Sequence, residues 1–307
     1  MKTKLIALLT SGLMLIAGIG QAQADTNTLP PQLLKLVNDL KYQQGEIDLD
    51  GGLAKLSVPP DFNFLDSKDA ETVLVKLWGN PPAKKNPLGL LMPAGMTPLS
   101  SNCWVVTISY DNDGYVKDDD ANKINYDDLL KQMQKAVQEN NKTRAEKGYP
   151  TAELLGWAEP PRYDATTHKM YWAKSFKFDG ETGETLNYNI RMLGRKGVLE
   201  LNAIASVDQL PQIDAQTPKI LGMVDFKEGN RYADFDPKVD KVATYGLAAL
   251  VAGGVLAGAA KLGLLKLIWV AILAAKKFVI IGILAVVAFF KKLFNRRNNS
   301  SGGMPGA

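Results

Sequence analysis

TLNYNIRMLGRKGVLELNAIA, residues 185–205, reads as two strands folded back on each other, Thr185–Leu193 and Gly197–Ala205, across Gly194-Arg195-Lys196. Just upstream a second hairpin is expected. Leu154–Glu159 runs into Pro160-Pro161, and His168–Phe178 returns. Earlier, Cys103–Tyr110 forms a strand carrying Trp104, Val105, Val106, Ile108 and Tyr110, turned by Asp111–Gly114. Glu46–Val58 reads as two strands around Asp50-Gly51-Gly52, a strong turn signal. Strands joined mostly by hairpins pair antiparallel.

Helices fall between these groups. Gln32–Tyr42 places Leu33, Leu36, Val37 and Leu40 on one stripe. Asp66 or Ser67 caps a helix over Lys68–Leu77, stopped by Gly79 and Pro81-Pro82. Tyr126–Lys147, capped by Asn125, carries Leu129, Leu130, Met133 and Val137 on one face. Gln209–Met223 is the last, and Pro81–Leu99 reads as a long loop. The expected fold class is α+β, a mainly antiparallel sheet with packed helices, plus a C-terminal transmembrane helix or helices.

The two ends differ from the middle. Lys2 and Lys4 precede an apolar run, Leu5–Ile19, and Ala22-Gln23-Ala24 supplies small residues before a cut. That is the pattern of a secretory signal peptide over 1–24. The whole chain carries +4. Removing Lys2, Lys4 and the nine Lys and Arg from Lys241 onward leaves −7 on residues 25–240. An acidic exported domain over 25–240 is therefore followed by a basic, apolar segment, the expected membrane anchor over 241–297.

Tyr245–Phe290 is almost wholly apolar and 46 residues long. As one helix it would run ~69 Å, more than twice the ~30 Å hydrocarbon core. The reading is a span over 245–265 and a second apolar helix over 267–290, lying in the membrane or crossing it as a hairpin. Lys291, Lys292, Arg296 and Arg297 favour a cytoplasmic C-terminus. Gly254-x-x-x-Gly258 permits close helix contact and so self-association through the Gly-rich span. The tail, 298–307, is polar, Gly-rich and expected to be disordered. The basic charge reads as lipid-facing, with membrane lipids as partners and no nucleic acid. These patterns place the chain at a membrane, its main domain on the side away from the cytoplasm.

GWAEPPRYDATTHKMYWAKSFKF (156–178), DNDGYVKDDDANKI (111–124), TLNYNIRMLGRKGVLELNA (185–203) and RYADFDPKVDKVATYGLAALVAGG (231–254) resemble the DUF2167 family of bacterial membrane-anchored proteins. The resemblance implies an exported domain and a C-terminal anchor, and with them the bacterial cytoplasmic membrane, the main domain on the periplasmic side. It implies no reaction and no catalytic residue.

Nothing in the chain spells a catalytic constellation, and no cofactor is expected. Cys103 and His168 are the single Cys and the single His. Together they are the minimum for thiol catalysis, but Cys103 opens an apolar strand and reads as core filler. A lone Cys also excludes an intramolecular disulfide, and with one His it makes a zinc site unexpected. Asp111, Asp113 and Asp118, with Asp119 and Asp120, surround Gly114 and form a weak calcium candidate whose spacing is not that of an EF-hand. Trp157, Glu159, Arg162 and Tyr163 mix aromatics, Pro and opposite charges, a composition that suits protein recognition. Gly194-Arg195-Lys196-Gly197 could touch phosphate or remain a solvated turn. The function expected is a membrane-anchored module that binds or scaffolds an envelope or membrane protein. The alternative is an envelope hydrolase or transferase using carboxylates, with Glu159 and Asp164 as the pair.

Overall fold

The computed structural model describes residues 30–100 and 102–253. In chain order the elements are α1 (Pro31–Asn38), β1 (Gly45–Leu49), β2 (Ala54–Val58), β3 (Phe62–Asp66), α2 (Ser67–Glu71, running on as a π turn over Thr72–Leu77), β4 (Gly89–Pro93), β5 (Val105–Asp111), α3 (Tyr126–Glu146), β6 (Ala152–Asp164), β7 (Lys169–Phe178), β8 (Glu184–Leu193), β9 (Val198–Ser206), α4 (Leu210–Met223), β10 (Val224–Phe226) and α5 (Leu247–Ala252).

Seven strands form one sheet in the order β3-β4-β5-β9-β8-β7-β6, and β1-β2-β10 form a second. Every pairing is antiparallel. The α+β class is thus as expected. The 185–205 hairpin closes with Leu193 opposite Val198 and Thr185 opposite Ser206. Its turn is tight because Gly197 lies against the end of β5, where a Cβ would land on the carbonyl of Asp111. The Asp50-Gly51-Gly52 turn holds three successive residues at positive φ, which two glycines make cheap.

Period-2 alternation sends β-strand side chains to two faces, and both are covered. On one face Trp104, Val106, Ile108, Tyr188, Ile190, Leu199 and Leu201 pack against Leu49, Leu56, Val224 and Phe226 of the small sheet and Ile213 and Ile220 of α4. The opposite face has two separate covers. Leu129, Met133 and Val137 of α3, with α5, lie over Trp172, Phe176, Phe178, Leu193 and Val198. Leu33, Leu36 and Val37 of α1, with Val73, Leu74 and Leu77 of the α2 unit, lie over Leu65, Leu90, Val105 and Ile204.

Helix starts follow the side chains that cap them. Asp66 accepts the amide of Asp69 at 3.0 Å, and Asn125 accepts those of Asp127 and Asp128 at 3.1 Å.

Two readings change. Pro81–Leu99 is not only loop: Gly89–Pro93 is β4, paired with β3, which the sequence also hides. Both strands are five residues long, too short for alternation to show. The expected anchor also begins differently. Leu247, Leu250, Val251 and Ala252 are buried with α3, and the amides of Leu247 and Ala248 donate to the Asp120 carboxylate at 3.1 and 3.3 Å. The first turns of the expected 245–265 span therefore belong to the domain core. Gly254, Gly258, the rest of that span, the 267–290 helix, the 298–307 tail and the 1–24 leader lie outside the described residues. Among the described residues no helix is long and apolar enough to cross a membrane.

Gly197→Ala must push the β8–β9 turn away from Asp111, at roughly 1–3 kcal/mol. Gly156→Ala, on β6 with open space at its Cβ position, should stay within about 0.5 kcal/mol of wild type. Urea denaturation of the two full-length variants checks the contrast.

Candidate functional site

β6 is an edge strand, and its sequence keeps it irregular. Register shifts fall between Leu154 and Gly156, Trp157 and Glu159, and Glu159 and Arg162. Pro160 and Pro161 offer no N–H, which an edge tolerates and a central strand does not. These bulges split the four residues expected to bind.

Glu159 and Arg162 stay together. Arg162 Nε donates to Glu159 Oε1 at 3.1 Å, and the guanidinium lies 4.6 Å from the centre of the Tyr171 ring. The Arg162 side chain is 57% exposed. Partial burial pulls its pKa down, but Tyr188 and Glu159 outweigh that and hold it above the ordinary arginine range. An arginine so braced has lost much of its rotamer freedom before any partner arrives.

Trp157 and Tyr163 turn to the α3 side instead and pack against its core. The Trp157 indole N–H is buried without a partner among the described residues.

Tyr163 leads to a constellation that spans three distant stretches of chain. Its hydroxyl donates to Asp118 Oδ2 at 2.7 Å. The Tyr232 hydroxyl lies 3.0 Å from the Val116 carbonyl and 3.2 Å from Asp118 Oδ1. His168 Nδ1 is 3.2 Å from the Tyr163 oxygen and 3.7 Å from Asp118 Oδ2. Because Tyr163 spends its proton on Asp118, the imidazole that fits is one with hydrogen on Nδ1, donating to the phenol oxygen. His168 sits at φ 52°, which aims its ring at Tyr232, 4.1 Å between centres. Tyr115 stacks on Tyr232 at 4.4 Å and on Phe235 at 3.9 Å.

Electrostatics fixes the protonation of this group. Burial alone would raise the Asp118 carboxyl, yet hydrogen bonds from Tyr163 and Tyr232 and the nearby His168 leave it below its ordinary value. Burial, reinforced by hydrogen bonding and by the negative Asp118, drives both phenols far up. Asp118 is thus an ionised acceptor ringed by protonated donors, with its side chain 30% exposed. It can receive a donor or a cation at the surface. Neither phenol can act as a base.

The other candidates are dispersed. Asp111 ends β5, its carboxyl pushed up to about 6 by burial and by Asp113 and Glu200. Asp120 caps α5. Among the described residues no group of three or more His, Cys, Asp or Glu gathers as a metal site. Glu159 and Asp164 each have other partners. Glu159 holds Arg162, while Asp164 accepts the Thr166 amide at 2.9 Å and the Thr167 hydroxyl at 2.7 Å, which keeps it below its usual range. Cys103 packs in the α2 core, its thiol pushed up to about 12 by burial, whereas His168 stands by Tyr232. The Gly194–Gly197 turn is tied down: Arg195 Nε donates to Asp240 Oδ2 at 2.6 Å.

Reading along the chain missed Tyr115, Tyr232 and Phe235 as site residues. The signal was present, since each lies inside one of the blocks at 111–124 and 231–254.

Asp118→Ala strips two phenols of their acceptor and should cost about 1–3 kcal/mol at neutral pH. The sign follows from the lowered pKa. The carboxylate's contribution is complete above the unfolded value near 3.9 and is lost as pH falls through the lower folded value. Denaturation at pH 7 should separate variant from wild type, and the gap should shrink towards pH ~3.

The family model described as "Protein of unknown function (DUF2167)" matches residues 41–287. No curated protein matches the chain. Among solved structures, the solution structure of cyanobacterial PsbP (CyanoP) from Synechocystis sp. PCC 6803 overlaps at a TM-score of 0.34 and 12% identity, covering 61% of this chain and 94% of that one. So loose an overlap carries no reading of fold or function. The family match spans well over half the sequence and takes in all four blocks that carried the resemblance: the protein belongs to the DUF2167 family.

Proposed function

We propose that this protein is a membrane-tethered, extracytoplasmic binding module of the bacterial envelope that engages another envelope or membrane protein through the Glu159–Arg162 edge of its sheet. The observation that carries the reading is the braced Arg162, exposed over Tyr171 and held by Glu159 on a bulged strand. Arg and Tyr dominate the few residues that supply most interface energy, and a pre-ordered arginine loses little entropy on binding. The bulges and prolines of β6 make strand addition a poor mode, so recognition would run through side chains.

Tethering is supported by sequence. Residues 1–24 carry the export pattern, and the apolar block contains lysines but no acids. The family match continues into that block, to residue 287. Self-association of the Gly254-x-x-x-Gly258 segment belongs to the same proposal, as do lipid contacts of the basic residues.

A photo-crosslinking residue at position 166, on the turn after β6, should capture one recurrent envelope protein in intact cells. The same residue at position 146, on the far end of α3, should not. Arg162→Ala should weaken capture by roughly tenfold while leaving stability within about 0.5 kcal/mol. Equal capture from both positions, or capture indifferent to Arg162→Ala, would sink the binding-edge reading. Separately, the full chain should stay with membranes through an alkaline carbonate wash, and a chain ended after Gly253 should not.

A further inference from the structure

Val239 is 73% exposed, more than any other large apolar residue among those described, and Val242 is 38% exposed. A lone surface valine is ordinary. This pair, however, does not sit on a loose loop. The Val239 and Asp240 amides donate to the Asp236 carbonyl at 3.2 and 2.9 Å, and the Lys238 amide donates to Asp236 Oδ1 at 2.9 Å. The Asp236 amide and Arg195 Nε both donate to Asp240 Oδ2, at 2.7 and 2.6 Å. On either side of Val242, the Tyr115 amide donates to the Lys241 carbonyl and the Ala243 amide to the Tyr115 carbonyl, each at 2.8 Å. The backbone that carries both valines is pinned, so their exposure is built into the fold.

Exposure along this turn is sorted by chemistry. Within 236–242 the exposed residues are Pro237, Lys238, Val239, Lys241 and Val242, while Asp236 and Asp240 are drawn in. Lys196 is exposed beside them, its carbonyl taking the Gly114 amide at 3.1 Å next to Tyr115. The nearby carboxylates are already engaged. The Asp240 side chain is 3% exposed and paired with Arg195, with Lys196 close by. Asp234 accepts the amides of Gly229 and Arg231, and Asp113 bonds the Tyr245 hydroxyl. The turn therefore offers solvent three apolar residues and two lysines, and no acid. Position matters as well. Val242 and Gly253 are at most about 27 Å apart along the chain, and beyond Gly253 the apolar block runs on.

We infer that the 236–242 turn is a docking surface on which the head itself rests against the bilayer. Val239 and Val242 enter the boundary between headgroups and acyl chains, and Lys196, Lys238 and Lys241 meet anionic headgroups. The inference rests on the tethered reading and adds a second, separate contact to it. Apolar tips flanked by lysines suit the membrane interface, where the lysine stems lie along apolar surface and the ammonium groups stay in the polar layer. An anionic leaflet attracts each lysine that comes within a Debye length of it. For a free domain so small a contact is weak. A tether makes it intramolecular, at an effective concentration on the order of millimolar, and a weak contact then suffices to set the attitude of the head.

The test uses the full chain carrying Cys103→Ala, reconstituted in vesicles of phosphatidylcholine and phosphatidylglycerol. An NBD fluorophore is attached at Val239→Cys or, as the control, at Lys35→Cys on α1, where the side chain is 74% exposed. Lipid spin-labelled near the headgroup should quench the probe at 239 at least roughly threefold more than the probe at 35, and aqueous iodide should show the reverse order. Lys238→Gln with Lys241→Gln should weaken lipid quenching at 239 by roughly threefold in these vesicles and leave it unchanged in phosphatidylcholine alone. Equal lipid quenching at the two positions, or a probe at 239 as open to iodide as the one at 35, would overturn the inference. Indifference to the lysine pair in anionic vesicles would overturn its headgroup half. Loss of the chain in an alkaline wash would sink the tether and this contact together, whereas a retained chain with an unquenched probe at 239 overturns the contact alone. Should Cys103→Ala unfold the head, hydrogen exchange of the wild-type Val239 and Asp240 amides decides: exchange no slower in anionic than in neutral vesicles overturns the inference.

Discussion

A seven-stranded sheet that is apolar on both faces cannot stand in water, and the rest of the head follows from the need to cover it. β5, β9, β8 and β7 carry Val106, Ile108, Leu201 and Ile190 to one side and Val105, Ile204, Trp172 and Phe176 to the other. One small sheet and α4 suffice for the first face. The second takes two covers, α1 with the α2 unit over one part and α3 with α5 over the other.

That requirement also explains which elements could be read in advance. α3 has 21 residues, an Asn125 cap and a repeating apolar face, and its limits emerge almost unchanged. The β8–β9 hairpin is set by Gly197 and by two long runs that place large side chains on both faces. β3 and β4 could not be seen this way. Each is five residues long, and Pro59-Pro60 and Pro81-Pro82 mark their neighbourhood as loop. β4 becomes a strand against β5, and β3 against β4, which is a tertiary effect. The same limit hid the true start of the apolar tail. Leu247–Ala252 is apolar enough for lipid, but Asp120, 127 residues earlier, takes its first amides and seats it on α3. Composition cannot distinguish a hydrophobic segment bound for the bilayer from one bound for a core.

Of the residues read as functional, Glu159 and Arg162 stay paired, while Tyr163 leaves them for Asp118 and His168. The Asp118 constellation is a long-range object: Tyr115, Tyr163, His168 and Tyr232 come from a loop, an edge strand, a strand turn and a one-turn helix. No spacing rule encodes it. Its chemistry is conservative, because phenols so strongly held to their protons act as fixed donors. Asn187, Asn189 and Arg191 stand at every second position of β8 and are buried, which alternation alone does not show.

Both flanks of the large sheet are closed to further strands. On β6 the three slips of register and the proline pair interrupt the ladder. On β3, Phe64 exchanges backbone hydrogen bonds with Gln43 at 2.9 Å in both directions, occupying the middle of that margin. Copies brought edge to edge would therefore meet margins of the large sheet that resist pairing. The two prolines of β6 and the bridge from Gln43 thus guard this sheet against growth by a foreign strand.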